Sequence, residues 1–492
     1  DNWGPRLAVA YDPAGSGRTV VRFGAGRFFI RVLLRTLDDF TLGKQVVEFD
    51  TNSLPAAERR AFLDAHLSFP RALSADSAVV RQFGARLTNF SRRLDPDLRI
   101  PESYQFNLGF ERELGRGFVV ESNLTYNRGA HLWRELSANA PVLPRGFRDF
   151  AAYLLSRDFP NFRDATGARP VYNAASAGEL VRFTGSPASA SGSDSVSRVV
   201  EFGVPVSVFN LGSVNSSAAL EAALAALAQL RPDPSRVQVE QLVSAGNSFY
   251  KALTVEARRR YARGDKLGFS LRAAYTLSSL VDDGVVNTSS ALRVGDFRAE
   301  RAPSLLDRRH RLAVSGVFDA PRAVPFLRGL RLAPVLRLAS SAPFNLTLGG
   351  DDRNLDDVSN DRPSFDGDLR LLRARRPGEP LDARLLAALS LPVIGRAGNL
   401  PRNAGRGPAL FLFDLSVTRE FRLSERARLR TSAEFNNVLN KTVFTFGAEF
   451  VNFDALRADA TPEQRRALHE TFLVPTRTLR PRSVRVGLRL DF

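Results

Sequence analysis

The carboxyl-terminal segment Ser483–Phe492, SVRVGLRLDF, alternates between polar and apolar side chains along its whole length. Successive side chains of a β-strand point to opposite faces of a sheet, so this segment has one apolar face and one polar, cationic face. A tilted strand needs about 9–11 residues to cross a bilayer. The segment therefore has the length and pattern of a membrane-spanning strand, although the last strand of a soluble β-sandwich would look the same.

The same alternation recurs in pairs of segments joined by short turns. The predicted hairpins are Arg6–Tyr11 with Thr19–Ile30, Tyr104–Phe110 with Phe118–Tyr126, Leu253–Ala257 with Phe269–Leu277, Arg311–Phe318 with Leu330–Leu338, and Phe413–Val417 with Leu429–Phe435. Long polar loops separate these hairpins, and three short helices are predicted within them, at Ala56–His66, Ser216–Leu230 and Pro462–Phe472. All short turns would thus lie at one end of the strands and all long loops at the other. This arrangement is typical of a transmembrane β-barrel with short periplasmic turns and long extracellular loops, whereas turn signals in a sandwich are spaced more evenly.

The predicted fold class is all-β, an antiparallel transmembrane barrel of which this chain supplies about 11 strands. An antiparallel barrel cannot close on an odd number of strands, so we expect an open gap between Arg6–Tyr11 and Ser483–Phe492. No apolar run approaches the length of a membrane-spanning helix. The sequence contains no Met, so Asp1 is expected to be a cut or processed end.

The alternation also assigns side chains to the two faces of the barrel wall. Val484, Val486, Leu488 and Leu490 are predicted to contact lipid. The predicted lumen-facing residues are Arg428, Arg430, Glu434, Arg485 and Arg489.

The formal net charge of +17 raises the question of nucleic-acid binding. The basic residues are nearly all Arg, and they are spread over strands and loops rather than gathered in one tract. No recognition helix, zinc finger or RNA-binding aromatic pattern accompanies them. Nucleic acid is therefore not a predicted partner, and an Arg-lined lumen or contact with anionic lipid headgroups fits the distribution better.

One loop has the composition of a metal site. Asp352, Asn354 and Asp356 have the alternate spacing of calcium ligands, but Asp357 and Pro363 stand where an EF-hand needs Gly and Glu. Two interpretations remain: an irregular external calcium site, or a solvated acidic loop paired with Arg353 and Arg362. A structural calcium ion at this loop is the only cofactor considered.

No catalytic residue is predicted. The chain has no cysteine, its four histidines are far apart in the sequence, and no strand-to-helix nucleophile motif occurs. An enzymatic function is not predicted.

Several stretches carry a resemblance to one family. They are Asp1–Arg6 (DNWGPR), Gln105–Gly109 (QFNLG), Asp307–Leu312 (DRRHRL), Asn360–Pro363 (NDRP) and Ala433–Asn440 (AEFNNVLN). As a set they resemble the carboxyl-terminal half of the barrel in TonB-dependent outer-membrane receptors, specifically the Oar-like group with a carboxypeptidase-regulatory-like amino-terminal domain.

The resemblance implies a function for a longer protein, in which residues 1–492 form the later part of a barrel of about 22 strands. A plug, the first half of that barrel and the segment that contacts the TonB complex would lie outside this chain. It implies uptake of an unidentified ligand, such as a carbohydrate, siderophore or peptide, across the outer membrane. Outer-membrane lipid and lipopolysaccharide would surround the barrel, and the barrel assembly machinery would read Phe492 as an assembly signal. The alternatives are a passive porin-like channel and a surface adhesion or secretion-assisting protein.

Overall fold

The computed structural model describes most of the chain. The described ranges are 2–30, 34–41, 90–150, 152–153, 229–234, 238–260, 268–286, 289–321, 324–349, 352–392, 395–445, 449–456 and 460–492, together with a few helical positions between 57 and 64.

In the described part of the chain, eleven antiparallel strands form the continuous path of one sheet, and each pairs with its neighbours in chain order. The strands are β1 Arg6–Tyr11, β2 Thr19–Phe29, β3 Glu102–Gly115, β4 Phe118–Ser137, β5 Gln238–Arg259, β6 Phe269–Asp282, β7 His310–Asp319, β8 Leu330–Ala339, β9 Leu410–Arg422, β10 Arg428–Asn436 and β11 Ser483–Asp491. The predicted strand count is thereby confirmed. The hairpin connections lie at one end of this sheet and the long loops at the other.

Both end strands are edges of the sheet. Within the ranges given above, β1 pairs only with β2, β11 pairs only with β10, and no ladder joins β1 to β11. The expected gap is therefore present. Each edge presents a row of backbone groups that an additional antiparallel strand could pair with.

The strands β4 and β5 extend beyond the length of a bilayer crossing on the side of the long loops. β4 and β5 contain 20 and 22 residues, about twice what a bilayer crossing requires. An irregularity in their pairing after Gly129 leaves His131 with a φ of +54°, and above it a short strand, Phe90–Leu94, pairs in parallel with the start of β5. The sequence prediction ended β4 at Tyr126 and contained no parallel pair, because the apolar alternation stops where the strand leaves the bilayer.

One face of the sheet is apolar and uncovered. The residues paired in register across neighbouring strands include Phe23 with Leu108, Leu108 with Leu124, Leu124 with Leu253 and Leu253 with Leu277. Leu124 is 54% exposed and Leu253 is 41% exposed. Monomeric soluble proteins rarely expose a contiguous apolar surface that runs across five strands, so this apolar face is the one suited to lipid.

The described parts of the two loops that follow β8 and β10 form a packed unit above β7–β11, which we call the external assembly; they lie within residues 340–408 and 437–482. Its core contains buried residues such as Phe344, Leu372, Leu400, Phe472 and Leu473. Further pairings are two-residue strands: Pro343–Phe344 with Gly405–Arg406, Leu346–Thr347 with Glu449–Phe450, Ser364–Phe365 with Leu389–Ser390, and Phe444–Thr445 with Arg477–Thr478. Ala302–Pro303 pairs with the outer end of β6.

Within the described ranges, three α-helices in the loops have both ends defined: α1 Leu34–Thr41, α2 Ala383–Ala388 and α3 Pro462–Thr471. Short 3₁₀ turns occur at Pro325–Leu327, Leu369–Leu371 and Phe453–Leu456. α3 confirms the helix predicted at Pro462–Phe472, and a capping box between Thr461 and Gln464 fixes its start.

The other two predicted helices, Ala56–His66 and Ser216–Leu230, fall largely outside the described residues. The sequence did not predict α1 or α2. No helix in the described ranges has the length and apolarity needed to cross a membrane.

Candidate functional site

The polar face of the sheet is lined by cross-strand ion pairs. Glu111 on β3 accepts hydrogen bonds from Arg22 on β2 at 2.8 Å and from Arg258 on β5 at 2.9 Å. Arg272 on β6 donates to Glu256 at 2.8 Å. Charges of opposite sign thus alternate across strands, and each guanidinium is held in a defined position.

The predicted lumen-facing residues lie on this same polar face. Arg428 and Arg430 both contact Glu420 on β9, at 3.4 and 3.3 Å. Arg485 lies 3.7 Å from Glu434, and Arg489 lies 2.7 Å from Asp491. The sequence predicted the shared face correctly but not these partners, and the assignment of the face to a lumen stays a prediction. Exposed pairs of this kind each contribute about 0–1 kcal/mol to stability, so they determine the charge of the wall more than its strength.

Buried ion pairs connect the external assembly to the outer ends of the wall strands. Glu300, 2% exposed, accepts two parallel hydrogen bonds from Arg362, at 2.7 and 2.9 Å. Arg402 contacts both Glu300 and Asp282, the last residue of β6. Removing one partner from such a pair leaves an uncompensated buried charge, so this junction holds the loops in one arrangement on the wall.

A second buried pair anchors the end of β4. Arg134 donates to Asp283 at 2.7 and 3.0 Å and also to the Gly284 carbonyl at 2.8 Å. The partners are separated by 149 positions in the chain. The spacing in the sequence does not predict this contact, because a long loop and the strands β5 and β6 lie between the two residues.

The acidic loop that contains Asp352, Asn354 and Asp356 is buried rather than solvated. Asp352 is 2% exposed, and its carboxylate accepts hydrogen bonds from the backbone N–H groups of Leu355 and Asp357, both at 2.8 Å. Asp356 accepts from the Val358 N–H at 3.0 Å. The interpretation of a solvated loop is therefore wrong: the carboxylates turn inward and bind the loop's own backbone.

The expected pairing of this loop with neighbouring arginines is also different. Arg362 binds Glu300, as described above, while Asp357 is paired with Arg231 at 2.9 Å. Asp361 accepts from the backbone N–H groups of Arg353 and Asn354, and its other oxygen, Oδ1, has no hydrogen-bond partner among the described residues. One buried carboxylate oxygen thus remains available in the loop.

Burial of this many carboxylates changes their acidity. Burial and the nearby charges of Asp356 and Asp361 raise the pKa of Asp352 well above its ordinary value. Burial raises the pKa of Asp361 to about 7. Burial also raises the pKa of Asp357, against the lowering effect of its hydrogen bond to Arg231. Burial therefore makes the protonated form of these carboxyl groups more favourable than it is in water.

The structure brings the three predicted calcium ligands into one turn, and their backbone hydrogen bonds occupy several of the oxygens. Among the described residues, no group of three or more Asp, Glu or His side chains has its oxygen or nitrogen atoms converging as metal ligands. Calcium binding by Asp352, Asn354 and Asp356 stays a prediction.

The family model described as outer membrane beta barrel domain matches residues 1–452. No curated protein matches the sequence.

Among solved structures, the outer membrane transporter YddB from Escherichia coli is similar with a TM-score of 0.41 and 8% identity, covering 90% of this chain and 37% of that one. The ferric enterobactin receptor PfeA from Pseudomonas aeruginosa, in a mutant form, gives a TM-score of 0.41 and 11% identity, covering 100% of this chain and 40% of that one. The ferric-catecholate import receptor Fiu from E. coli gives 0.36 and 6%, covering 99% and 34%. This chain thus spans less than half of the length of each of these three proteins.

Proposed function

Because the chain belongs to the outer-membrane β-barrel domain family, and its location is therefore the outer membrane, we propose that it forms part of the wall and the external loops of a receptor that takes up a ligand. The observation that carries the proposal is the division of one open sheet into an exposed apolar face and an ion-paired polar face. A strand wall with these two faces suits lipid on one side and a hydrated passage on the other.

The external assembly supports a role in ligand capture. Its own hydrophobic core and its buried ion pairs to the wall give it a fixed shape, which is what a binding surface needs before a ligand arrives. In the proposed function, a ligand first contacts this assembly and then moves along the polar face. A plug that blocks the passage and energy from the TonB complex complete the proposal, and both would be supplied by other segments of a longer protein.

The experiment compares uptake in cells that produce the full-length protein with uptake in a deletion strain. Candidate ligands are supplied singly, from panels of ferric siderophores, oligosaccharides and peptides. The proposal expects saturable uptake of one class that stops when TonB is deleted or a protonophore is added. Uptake that persists without TonB would instead identify a passive channel, and saturable protein binding without uptake would identify an adhesion function.

A variant of the buried ion pair between Glu300 and Arg362 tests whether the external assembly binds the ligand. Glu300→Gln leaves Arg362 buried without its carboxylate and should loosen the external assembly, so the apparent affinity for the ligand should fall. Arg485→Gln is the matched control, because it removes one partner of an exposed pair at 3.7 Å on the polar face. Equal affinity loss in both variants would contradict capture by the external assembly.

A further inference from the structure

A small segment packs on the outer extension of β4 and β5. It consists of α1 and residues 90–99, and we call it the docked segment. Phe40 of α1 is buried against Trp133 on β4 and Leu242 on β5. The Trp133 indole N–H donates to the Arg99 carbonyl at 2.8 Å. The docked segment thus forms an apolar core with the wall strands.

Two carboxyl groups lie beside this apolar core. In the register of β4 and β5, Glu135 lies opposite Leu242. Glu240 is two positions from Leu242 on β5, so Glu135 and Glu240 are diagonal neighbours on the same face, within reach of long side chains. The two carboxyl groups are hydrogen-bonded to each other, with Glu240 buried and Glu135 half-buried. Because two carboxylates in contact at such a site repel each other strongly, the pair shares one proton.

One guanidinium of the docked segment faces the pair. Arg92 donates from Nε to a carboxylate oxygen of Glu240 at 2.7 Å. The same guanidinium lies 5.4 Å from the centre of the Phe40 ring, so it is held between the pair and the apolar core. Arg92 thus connects the docked segment to the two carboxyl groups.

Other charged groups of the elements around the pair are bound elsewhere or exposed. Arg93 donates to Gln241, Arg134 donates to Asp283, and His131 contacts Glu102. Asp95 accepts from the Asp97 N–H, and Asp97 and Arg99 are exposed. Arg35, Asp38 and Asp39 of α1 are not among the described side chains, and a control variant below covers the two acids. Among the described side chains, Arg92 is therefore the cation that acts on Glu135.

The pair lies outside the bilayer. Glu135 is about 17 residues beyond the first residue of β4, which at a tilt of about 45° corresponds to a height of about 40 Å. The apolar band of a transmembrane barrel is about 25 Å tall. Water therefore reaches the pair wherever the docked segment does not cover it.

Docking affects the proton of the pair in two opposite ways. It removes Glu135 from water, which favours the protonated form, and it brings Arg92 close, which favours the charged form. Burial is the largest effect on Glu135 and the attraction of Arg92 is the smallest, so the pKa of Glu135 is raised to about 8. The docked state therefore holds the proton more tightly than the uncovered pair does.

We propose that Glu135 and Glu240 form a pH-sensitive contact that keeps the docked segment on the wall while they share a proton and releases it when the proton is lost. In the protonated pair Glu135 donates to Glu240, and Arg92 balances the one negative charge. Transfer of the proton to water leaves two negative charges beside one cation, and release of the docked segment returns both carboxylates to water. Since the docked state binds the proton more tightly, docking weakens as the pH rises through about 8. The inference does not depend on the ligand or the energy source in the proposed function.

The first test measures amide hydrogen exchange of the unaltered full-length protein in detergent, from about pH 6 to about pH 9. Each rate is divided by that of an unstructured peptide at the same pH, which gives a protection factor. The Asp95 N–H, which donates to the Leu242 carbonyl at 3.0 Å, reports docking. A pKa difference of about one unit between the docked and the uncovered pair changes the docking equilibrium about tenfold, so protection at residues 90–99 should fall by about that factor or more. Protection in β10 and β11 should not follow this dependence.

The second test uses variants of the full-length protein. Glu135→Gln retains a hydrogen-bond donor and cannot ionise, so protection at residues 90–99 should stay near its value at about pH 6 over the whole range. One control is Glu121→Gln, the same change on the same strand at a carboxylate 3.6 Å from Arg258. The other control is Asp38→Asn/Asp39→Asn in α1. Both controls should retain the pH dependence, and heat-modifiable gel mobility verifies folding.

Protection that does not change with pH in the unaltered protein would overturn the inference. A pH dependence that persists in Glu135→Gln, or that disappears in either control, would overturn it too. If Glu135→Gln does not fold, Glu240→Gln gives the same comparison, because it leaves one carboxyl group beside Arg92 and should likewise remove the pH dependence.

Discussion

Arginine at the middle of the apolar face should destabilise the barrel much more than arginine one residue away on the polar face. Leu124 and Thr125 are neighbours on β4, about six residues above its start, which places both near the middle of an apolar band about 25 Å tall. Leu124 is 54% exposed between Leu108 and Leu253 on the neighbouring strands. Thr125 points the other way and donates to Asn107 at 2.9 Å.

The expected loss in the free energy of unfolding differs between the two variants because the two side chains have different surroundings. An Arg facing lipid at mid-membrane costs about 2–4 kcal/mol, so Leu124→Arg should lower the free energy of unfolding by that amount. Thr125→Arg loses one hydrogen bond, worth about 0.5–1.5 kcal/mol, and its charge stays hydrated. The difference of about 2 kcal/mol corresponds to roughly thirtyfold in the unfolding equilibrium.

The assay is guanidinium unfolding of the full-length protein in phospholipid vesicles, with the midpoint and slope of each transition compared. Leu124→Ala is the control for loss of the side chain without a charge, and it should behave more like Thr125→Arg than like Leu124→Arg. If the two arginine variants have the same midpoint, or if Thr125→Arg is the less stable, the assignment of the faces is wrong.

Four further predictions concern the loops and the chain end. Glu300→Gln should lower the local stability of the external assembly by about 3–5 kcal/mol, because Arg362 loses its buried partner; hydrogen exchange should rise there and not in the wall strands. Burial raises the pKa of Asp361 from its ordinary value of 3.8 to about 7 in the folded protein. Between these two values the folded loop binds more protons than the unfolded chain does. The stability of the loop therefore falls as the pH rises through about 7. Proteolysis of the assembly should therefore be faster at about pH 8 than at about pH 5, a difference that Asp361→Asn should reduce and whose reversal would refute the argument. If the acidic loop binds calcium, added Ca²⁺ should slow that proteolysis at about pH 8 in the unaltered protein and not in Asp352→Asn. Deletion of Phe492 from the full-length protein should lower its amount in outer-membrane fractions, and normal amounts would show that this residue is not an assembly signal.

The strands of the wall and their faces were predictable from the sequence because both depend on residues that are close together in the chain. The two-residue period fixes which side chains share a face, and short turns fix which strands are neighbours, so the eleven strands and the shared face of Arg428, Arg485 and Arg489 were read correctly. The outer extension of β4 and β5 was missed, since beyond the bilayer nothing requires every second residue to be apolar.

The loops could be predicted far less well. The sequence identified Asp352, Asn354 and Asp356 as a group, because they are close in the chain, but it could not show that they are buried. It also gave no sign that Arg231 pairs with Asp357 or Arg362 with Glu300. These partners are 126 and 62 positions apart, and their meeting depends on how the loops pack on one another.

The sequence by itself thus determined an amphipathic eleven-stranded wall, its two faces and the end at which its loops lie. Tertiary structure alone decided which charges are neutralised. On the polar face Arg22 and Arg272 meet carboxylates from neighbouring strands, and at the junction Arg362 meets Glu300 from another loop. Strand periodicity is a property of neighbouring residues, whereas charge balance is a property of side chains that only the folded sheet brings together.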